Sequence, residues 1–267
     1  MNLPGSRIIF AFIFAVIYCL IGYYNGDKAI LSLSKAKEVT KKDDPFLINT
    51  VEGLSIAAGL PMPKVYTIEE ESPNAFAAGR NEKNASITIT SGLRKKMNRQ
   101  ELEGVIAHEM SHVKNRDILV MTMAVVLFGL IVLFSQVMMR SFMFGSGRRD
   151  NDNRGGGILI LIVLAIALIS AILAPLLAQL IKFAISRRRE YLADANGALL
   201  TRYPPGLANA LKKIRDDKDK VVDTANRATA SLYIENPLRH KESVNWMDRL
   251  FLSHPLIDER IKRLEAM

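Results

Sequence analysis

Two imidazoles and a carboxylate stand together at His108-Glu109-Met110-Ser111-His112, the pattern His-Glu-x-x-His. On a helix, residues four apart project from one face, so both rings can reach a single metal ion. The glutamate beside them then sits where it can take a proton from a water that the metal has acidified. The chain has only four histidines, and two are used here. The plain alternative is a pair of surface histidines on a helix, and the rest of the sequence weighs against it.

A catalytic zinc ion takes three protein ligands and leaves one position for water. His240 and His254 are possible third ligands. Glu190 is a better candidate, in the run Arg189-Glu190-Tyr191-Leu192-Ala193-Asp194-Ala195. On a helix Glu190 and Asp194 share a face, which lets Asp194 accept a hydrogen bond from a ligand imidazole and orient it. Taken alone, Glu190 reads equally well as a solvated carboxylate countering the three arginines before it.

The chain between residues 112 and 190 tilts the balance. Three stretches lack acidic and basic side chains: Ile8 to Tyr24, Ile118 to Met139 and Ile158 to Ile181. Crossing the hydrocarbon core takes about 20 apolar residues at 1.5 Å each, which the second and third stretches supply and the first barely meets. His112 precedes the second stretch by about 9 Å of helix, and Glu190 follows the third by about 13 Å. Two antiparallel spans therefore return Glu190 to the side and height of His112, although the two residues are 78 positions apart. One or three spans would place them on opposite faces of the bilayer. The first stretch reads as an uncleaved anchor rather than a signal peptide. Arg7 is its only leading charge, and Gly22-Tyr23-Tyr24 is not a small-x-small cleavage site.

Of the 267 residues 49% are hydrophobic, yet the net charge is +9. A basic chain can bind nucleic acid, but here the charges flank the apolar stretches. Lys28, Lys35, Lys37, Lys41 and Lys42 follow the first, and Lys182, Arg187, Arg188 and Arg189 follow the third. That distribution marks the cytoplasmic side of a membrane. The loop from Arg140 to Arg154 carries four arginines against two aspartates, which weakens the bias without reversing it. The single cysteine, Cys19, lies in the first stretch, so there is no disulfide framework. The expected setting is a multi-pass chain in a membrane, in contact with lipid, with no nucleic-acid partner and the site facing the cytoplasm.

The remaining elements must position these residues. A polar link, helical or irregular, is expected over 27–42. A helix over 43–59 should end at Gly59-Leu60-Pro61-Met62-Pro63, where glycine suits the cap and proline blocks continuation. Strands are predicted at 64–68, 72–78 and 85–90, with a polar turn at 79–84. Asn98 and Glu101 form a plausible capping pair for a helix that buries Leu102, Val105, Ile106 and Val113, carries the His-Glu-x-x-His face and runs on into the second span. Pro175 should kink the third span locally. A helix is expected through 182–200, and the last helix should start near Pro255. The small alanines around Asn74, Ala75, Phe76 and Ala77 suit a strand that pairs with an extended substrate, or equally a buried core strand.

With these residues in view, the chain resembles the HtpX-like integral membrane zinc metalloproteases, whose wider family includes mitochondrial and prenyl-protein-processing relatives. The resemblance runs from about Asp44 to Leu264. It rests on Asn74-Ala75-Phe76-Ala77-Ala78-Gly79, on His108 to His112, on Arg189 to Ala195 and on His254-Pro255. It implies that His108, His112 and Glu190 hold one zinc ion per chain and that Glu109 is the catalytic glutamate. It also suggests His254 as a stabiliser of the transition state, against the alternative of a helix cap before Pro255. His240 has no supporting pattern and reads as a surface residue. One departure is that bacterial members commonly show an N-terminal pair of spans, whereas this chain has one.

The expected fold class is α+β, mostly α-helical: a membrane-anchored zincin-type metalloprotease domain with a small β-sheet and a transmembrane helical hairpin between the zinc ligands. Its expected parts are an N-terminal anchor (1–27), a first half of the protease domain (28–117), a span (118–139), an extracytoplasmic loop (140–157), a second span (158–181) and the second half of the protease domain (182–267). The expected activity is zinc-dependent endopeptidase cleavage in quality control of misfolded membrane proteins. A non-catalytic zinc scaffold is the nearest alternative, and Glu109 argues against it because a structural site needs no base. A transporter is weaker, since the two long stretches offer only Gln136 and Gln179 as large polar side chains.

Overall fold

The computed structural model describes residues 4–127, 129, 187–218, 222–223, 225, 229, 232–235 and 255–267, with backbone only over 4–16 and at 19. Most of the stretches 118–139 and 158–181, the loop 140–157, His240 and His254 lie outside those residues. Among the described residues, no helix is long and apolar enough to cross a membrane.

Helix α1 (Pro4–Leu33) carries the first apolar stretch and continues past it into the expected polar link. It lies against the helical stretch 117–127. A methyl group on Gly22 would overlap Val126, and one on Gly26 would stand 2.8 Å from the Thr122 methyl. Glycines four apart thus let the two helices approach closely, and the Tyr18 hydroxyl donates to the Val126 carbonyl at 3.3 Å. The first apolar stretch is therefore packed on the start of the second.

Helix α2 (Pro45–Ala58) begins where its sequence predicts. The Asp44 side chain accepts from the Leu47 amide, Pro45 fills the first position, and Gly59 ends the helix in the left-handed region at φ 69. Asp44 also receives Arg94 through two nitrogens, at 2.6 and 3.2 Å.

Strands β1 (Lys37–Glu38), β2 (Lys64–Ile68), β3 (Ala75–Gly79) and β4 (Ala85–Thr90) form one mixed sheet in the order β1-β2-β4-β3. β2 and β4 run parallel, and the two outer pairs are antiparallel. β1 falls within the expected link. β3 starts later than its composition suggests because the Asn74 amide donates to the Thr90 side-chain oxygen rather than to a backbone carbonyl of β4.

After the short α3 (Ser91–Lys96), α4 (Arg99–Lys114) opens with the expected capping box between Asn98 and Glu101. Leu102, Val105, Ile106 and Val113 are all buried, in one core with the sheet and the helices α2, α5 (Arg187–Thr201), α6 (Pro204–Asp216) and α7 (Ile257–Glu265). Two glycines bring α4 into backbone contact with its neighbours. A Cβ on Gly104 would stand 2.6 Å from the Leu207 amide, and one on Gly197 would stand 3.0 Å from the His108 amide.

α4 does not run unbroken into the second apolar stretch as its sequence suggests. It ends at Asn115, Arg116 takes a left-handed conformation (φ 59), and helix resumes at 117. A non-glycine residue in that region costs roughly 1–2 kcal/mol, so the surroundings must impose the break. Its effect is to turn Asp117 back toward α4.

Candidate metal centre

α4 presents His108 and His112 one turn apart, and α5 crosses it closely at Gly197. One and two turns before that glycine on α5, Asp194 and Glu190 face the same imidazoles. All five chemical groups of the site, His108, Glu109, His112, Glu190 and Asp194, are buried.

His108, His112 and Glu190 form a group whose donor atoms all lie within 4.8 Å of one another. The two Nε2 atoms are 3.2 Å apart, and the Glu190 oxygens lie 3.8 Å from His108 Nε2 and 3.6 Å from His112 Nε2. An ion with tetrahedral bonds of about 2.0–2.1 Å would hold its ligand atoms about 3.3 Å apart. The observed separations lie near or somewhat above that edge, so two nitrogens and a carboxylate are grouped closely enough to hold a metal ion. Glu109 lies between the ligands on α4, buried beside them.

Each imidazole is held from behind by a carboxylate, and each carboxylate by an arginine. His108 Nδ1 stands 3.0 Å from Asp194 Oδ1. Arg260, fully buried on α7, grips Asp194 with Nε at 2.9 Å and Nη2 at 2.7 Å. His112 Nδ1 stands 3.0 Å from Asp117 Oδ2, and the other Asp117 oxygen accepts from Arg189. An acceptor on Nδ1 fixes the tautomer that leaves Nε2 free for a metal.

The electrostatics of the rings differ. Burial pushes His108 down and, helped by the charge of Arg260, outweighs Asp194, leaving it at about 4. Burial also lowers His112, but the bond from Asp117 and the charges of Glu190 and Glu109 overcome it and raise the ring to about 9. Burial pushes Asp194 up, and Arg260 with His108 more than reverses this, bringing it to about 2. The carboxylates thus favour positive charge at His112, which is the charge a divalent ion supplies.

β3 lies at one edge of the sheet, with Asn74, Ala75, Phe76 and Ala77 buried. The Asn74 carbonyl faces β4, accepting from Thr90, so the backbone groups of Ala75, Ala77 and Gly79 face outward. At one end the Ala75 carbonyl accepts from the Ile234 amide at 2.9 Å, and at the other the Gly79 amide donates to Thr122 at 3.1 Å. Asn74 further fastens residue 235 by donating to the Glu235 carbonyl, and Phe76 meets Tyr233 edge to face.

The structure therefore brings together His108, Glu109, His112, Glu190 and Asp194. His254 lies outside the described residues, although Pro255 and α7 follow it directly. Sequence reasoning missed Arg260, Asp117 and Arg189. Arg260 was detectable as a charge on the same helical face as Ile257, Ile261 and Leu264. Asp117 was detectable from the requirement that the second imidazole, too, have an acceptor.

The family model for peptidase family M48 matches residues 41–267. A protease HtpX homolog of Dictyoglomus thermophilum is 49% identical over 98% of this chain and 82% of the relative. Another, of Thermoanaerobacter pseudethanolicus, is 47% identical over 98% of this chain and 85% of its own. A third, of Lactobacillus helveticus, is 44% identical over the whole chain and 88% of the relative. Among solved structures, the crystal structure of S. mikatae Ste24p superposes with a TM-score of 0.54 at 19% identity, covering 98% of this chain and 58% of that one. That likeness is one of fold.

Proposed function

Because the chain belongs to peptidase family M48 and is a metallopeptidase, we propose that it is a membrane-integrated, zinc-dependent endopeptidase. The observation that carries this reading is the His108–His112–Glu190 cluster, whose donor separations suit tetrahedral zinc, with Glu109 buried beside it. Among the described residues the cluster has three donors, the number of a catalytic site rather than a closed structural one.

Zinc, when bound, supplies Lewis acidity that polarises a scissile carbonyl and lowers the pKa of water. The Glu109 carboxylate accepts the proton of the attacking water and returns it to the nitrogen of the leaving amine. Asp194 and Asp117 hold Nδ1 of the two rings, which would leave each Nε2 free to hold a metal ion. His254, preceding α7, is the candidate to donate a hydrogen bond to the developing oxyanion. The outward backbone groups of Ala77 offer a place for an extended peptide to pair, which suits unfolded segments.

The membrane setting is supported by the two charge-free stretches between His112 and Glu190 and by the packing of α1 on the root of the first of them. Lys and Arg flanking the stretches favour a site on the cytoplasmic side of a bacterial plasma or inner membrane. A site only a few helical turns from lipid suits misfolded membrane proteins as substrates. The test is purification in detergent with chelator, followed by zinc addition and measurement of self-cleavage. The parent should cleave on zinc addition. Glu109→Gln should bind zinc and lose turnover by at least about 100-fold. Cleavage by Glu109→Gln at the parental rate would overturn the assignment.

A further inference from the structure

Arg260 is the largest fully buried side chain among the described residues, and a salt bridge alone does not account for its surroundings. α7 turns Ile257, Ile261 and Leu264 into the core, and Arg260 is drawn in on the same face. Its fork spans both Asp194 oxygens, which fixes the plane of that carboxylate. Asp194 Oδ1 is shared between Arg260 Nη2 and His108 Nδ1, so the guanidinium and the imidazole are referenced to one atom. Nη2 also lies 3.4 Å from both ring nitrogens of His108, a position over the ring rather than along either lone pair. The third arm, Nη1, donates to the Ile234 carbonyl at 3.0 Å and stands 3.7 Å from Glu190 Oε2. The same Ile234 holds the outer edge of β3 through its amide.

We propose that Arg260 is a positioning residue that, through Asp194, fixes the His108 ring for metal binding and, through Ile234, locks that ring to the β3 edge. Its role rests on the zinc site proposed above. A lysine cannot replace it, because one ammonium cannot hold two carboxylate oxygens and a carbonyl in a fixed fork.

The test is zinc affinity of the full-length protein in detergent, by competition with a chromogenic chelator, together with the visible spectrum of the cobalt-loaded protein. Arg260→Met should weaken zinc by about 10–100-fold and change the cobalt bands. Arg260→Lys should recover part of the affinity. If Arg260 acts through Asp194, Arg260→Met combined with Asp194→Asn should bind no more weakly than Asp194→Asn alone. Parental affinity and spectrum in Arg260→Met, or strictly additive losses in the double variant, would overturn the proposal. Should Arg260→Met not fold, parental affinity in Arg260→Lys would overturn it equally. A parent that binds zinc but cleaves no peptide would defeat the peptidase reading and leave these results standing.

Discussion

The two imidazoles of the candidate metal centre are served by the same device in different surroundings. Behind His108 the Asp194–Arg260 pair is sealed, with side chains 3% and 0% exposed. Behind His112 the Asp117–Arg189 pair opens to solvent on one side, with Arg189 26% exposed. The first pair belongs to the core of the domain, on α5 and α7. The second stands where the chain departs toward the apolar stretches and where it returns from them. A buried carboxylate–guanidinium pair has no alternative partners, so it holds its geometry but is costly to break. A pair near water loses less when broken and tolerates adjustment. One imidazole is therefore held rigidly, and the other is held by groups that respond to the positions of the helices at 117 and 187.

The largest effect should come from Asp194→Ala, which strands Arg260 without its carboxylate in the interior. The metal-free protein should lose about 3–5 kcal/mol of stability, read from denaturant midpoints, and zinc affinity should fall by at least about 100-fold. Asp117→Asn should weaken zinc by only about 10-fold, with about 1 kcal/mol lost from the fold, because Arg189 can turn toward water. Equal losses in the two variants would erase the distinction between the pairs.

The Asp44–Arg94 pair, which touches no imidazole, is the baseline. Asp44→Asn should leave zinc affinity at the parental value while costing up to about 1 kcal/mol through its arginine, since asparagine keeps the cap. Its pH dependence has a definite sign. Partial burial pushes Asp44 up, but the bonds from Arg94 and the Leu47 amide outweigh it and hold the carboxyl below its usual range. Its contribution is then present above the ordinary carboxylate pKa and is lost as pH falls through the depressed value. Urea midpoints measured from pH 6 down to pH 2.5 should fall less steeply below pH 4 in Asp44→Asn than in the parent.

Much of this centre was legible from residue types and spacing. His108 and His112 declare themselves by a four-residue interval, and Glu190 with Asp194 by another. The capping box at Asn98 and the glycine-proline exit from α2 are local signals, set by backbone groups a few residues away. What escaped depends on contacts that local patterns do not carry. Arg260 shares a helical face with Ile257, Ile261 and Leu264, but its partner Asp194 lies 66 residues earlier and only the fold brings the two together. Asp117 becomes a partner of His112 only because Arg116 accepts a left-handed backbone, and no local preference for that conformation marks the position. β1 is too short to show an alternation, and pairing with β2 creates it.

The fastening of β3 at both ends has a further consequence. An outer strand with unpaired backbone groups invites addition of another strand, from a neighbouring molecule or an unfolded chain, and such pairing can propagate into aggregates. Here Ile234 and Thr122 clamp the two ends, and among the described residues only the rung of Ala77 lies between the clamps. A visiting strand would meet closed borders on either side of that rung, so the sheet is guarded against open-ended growth.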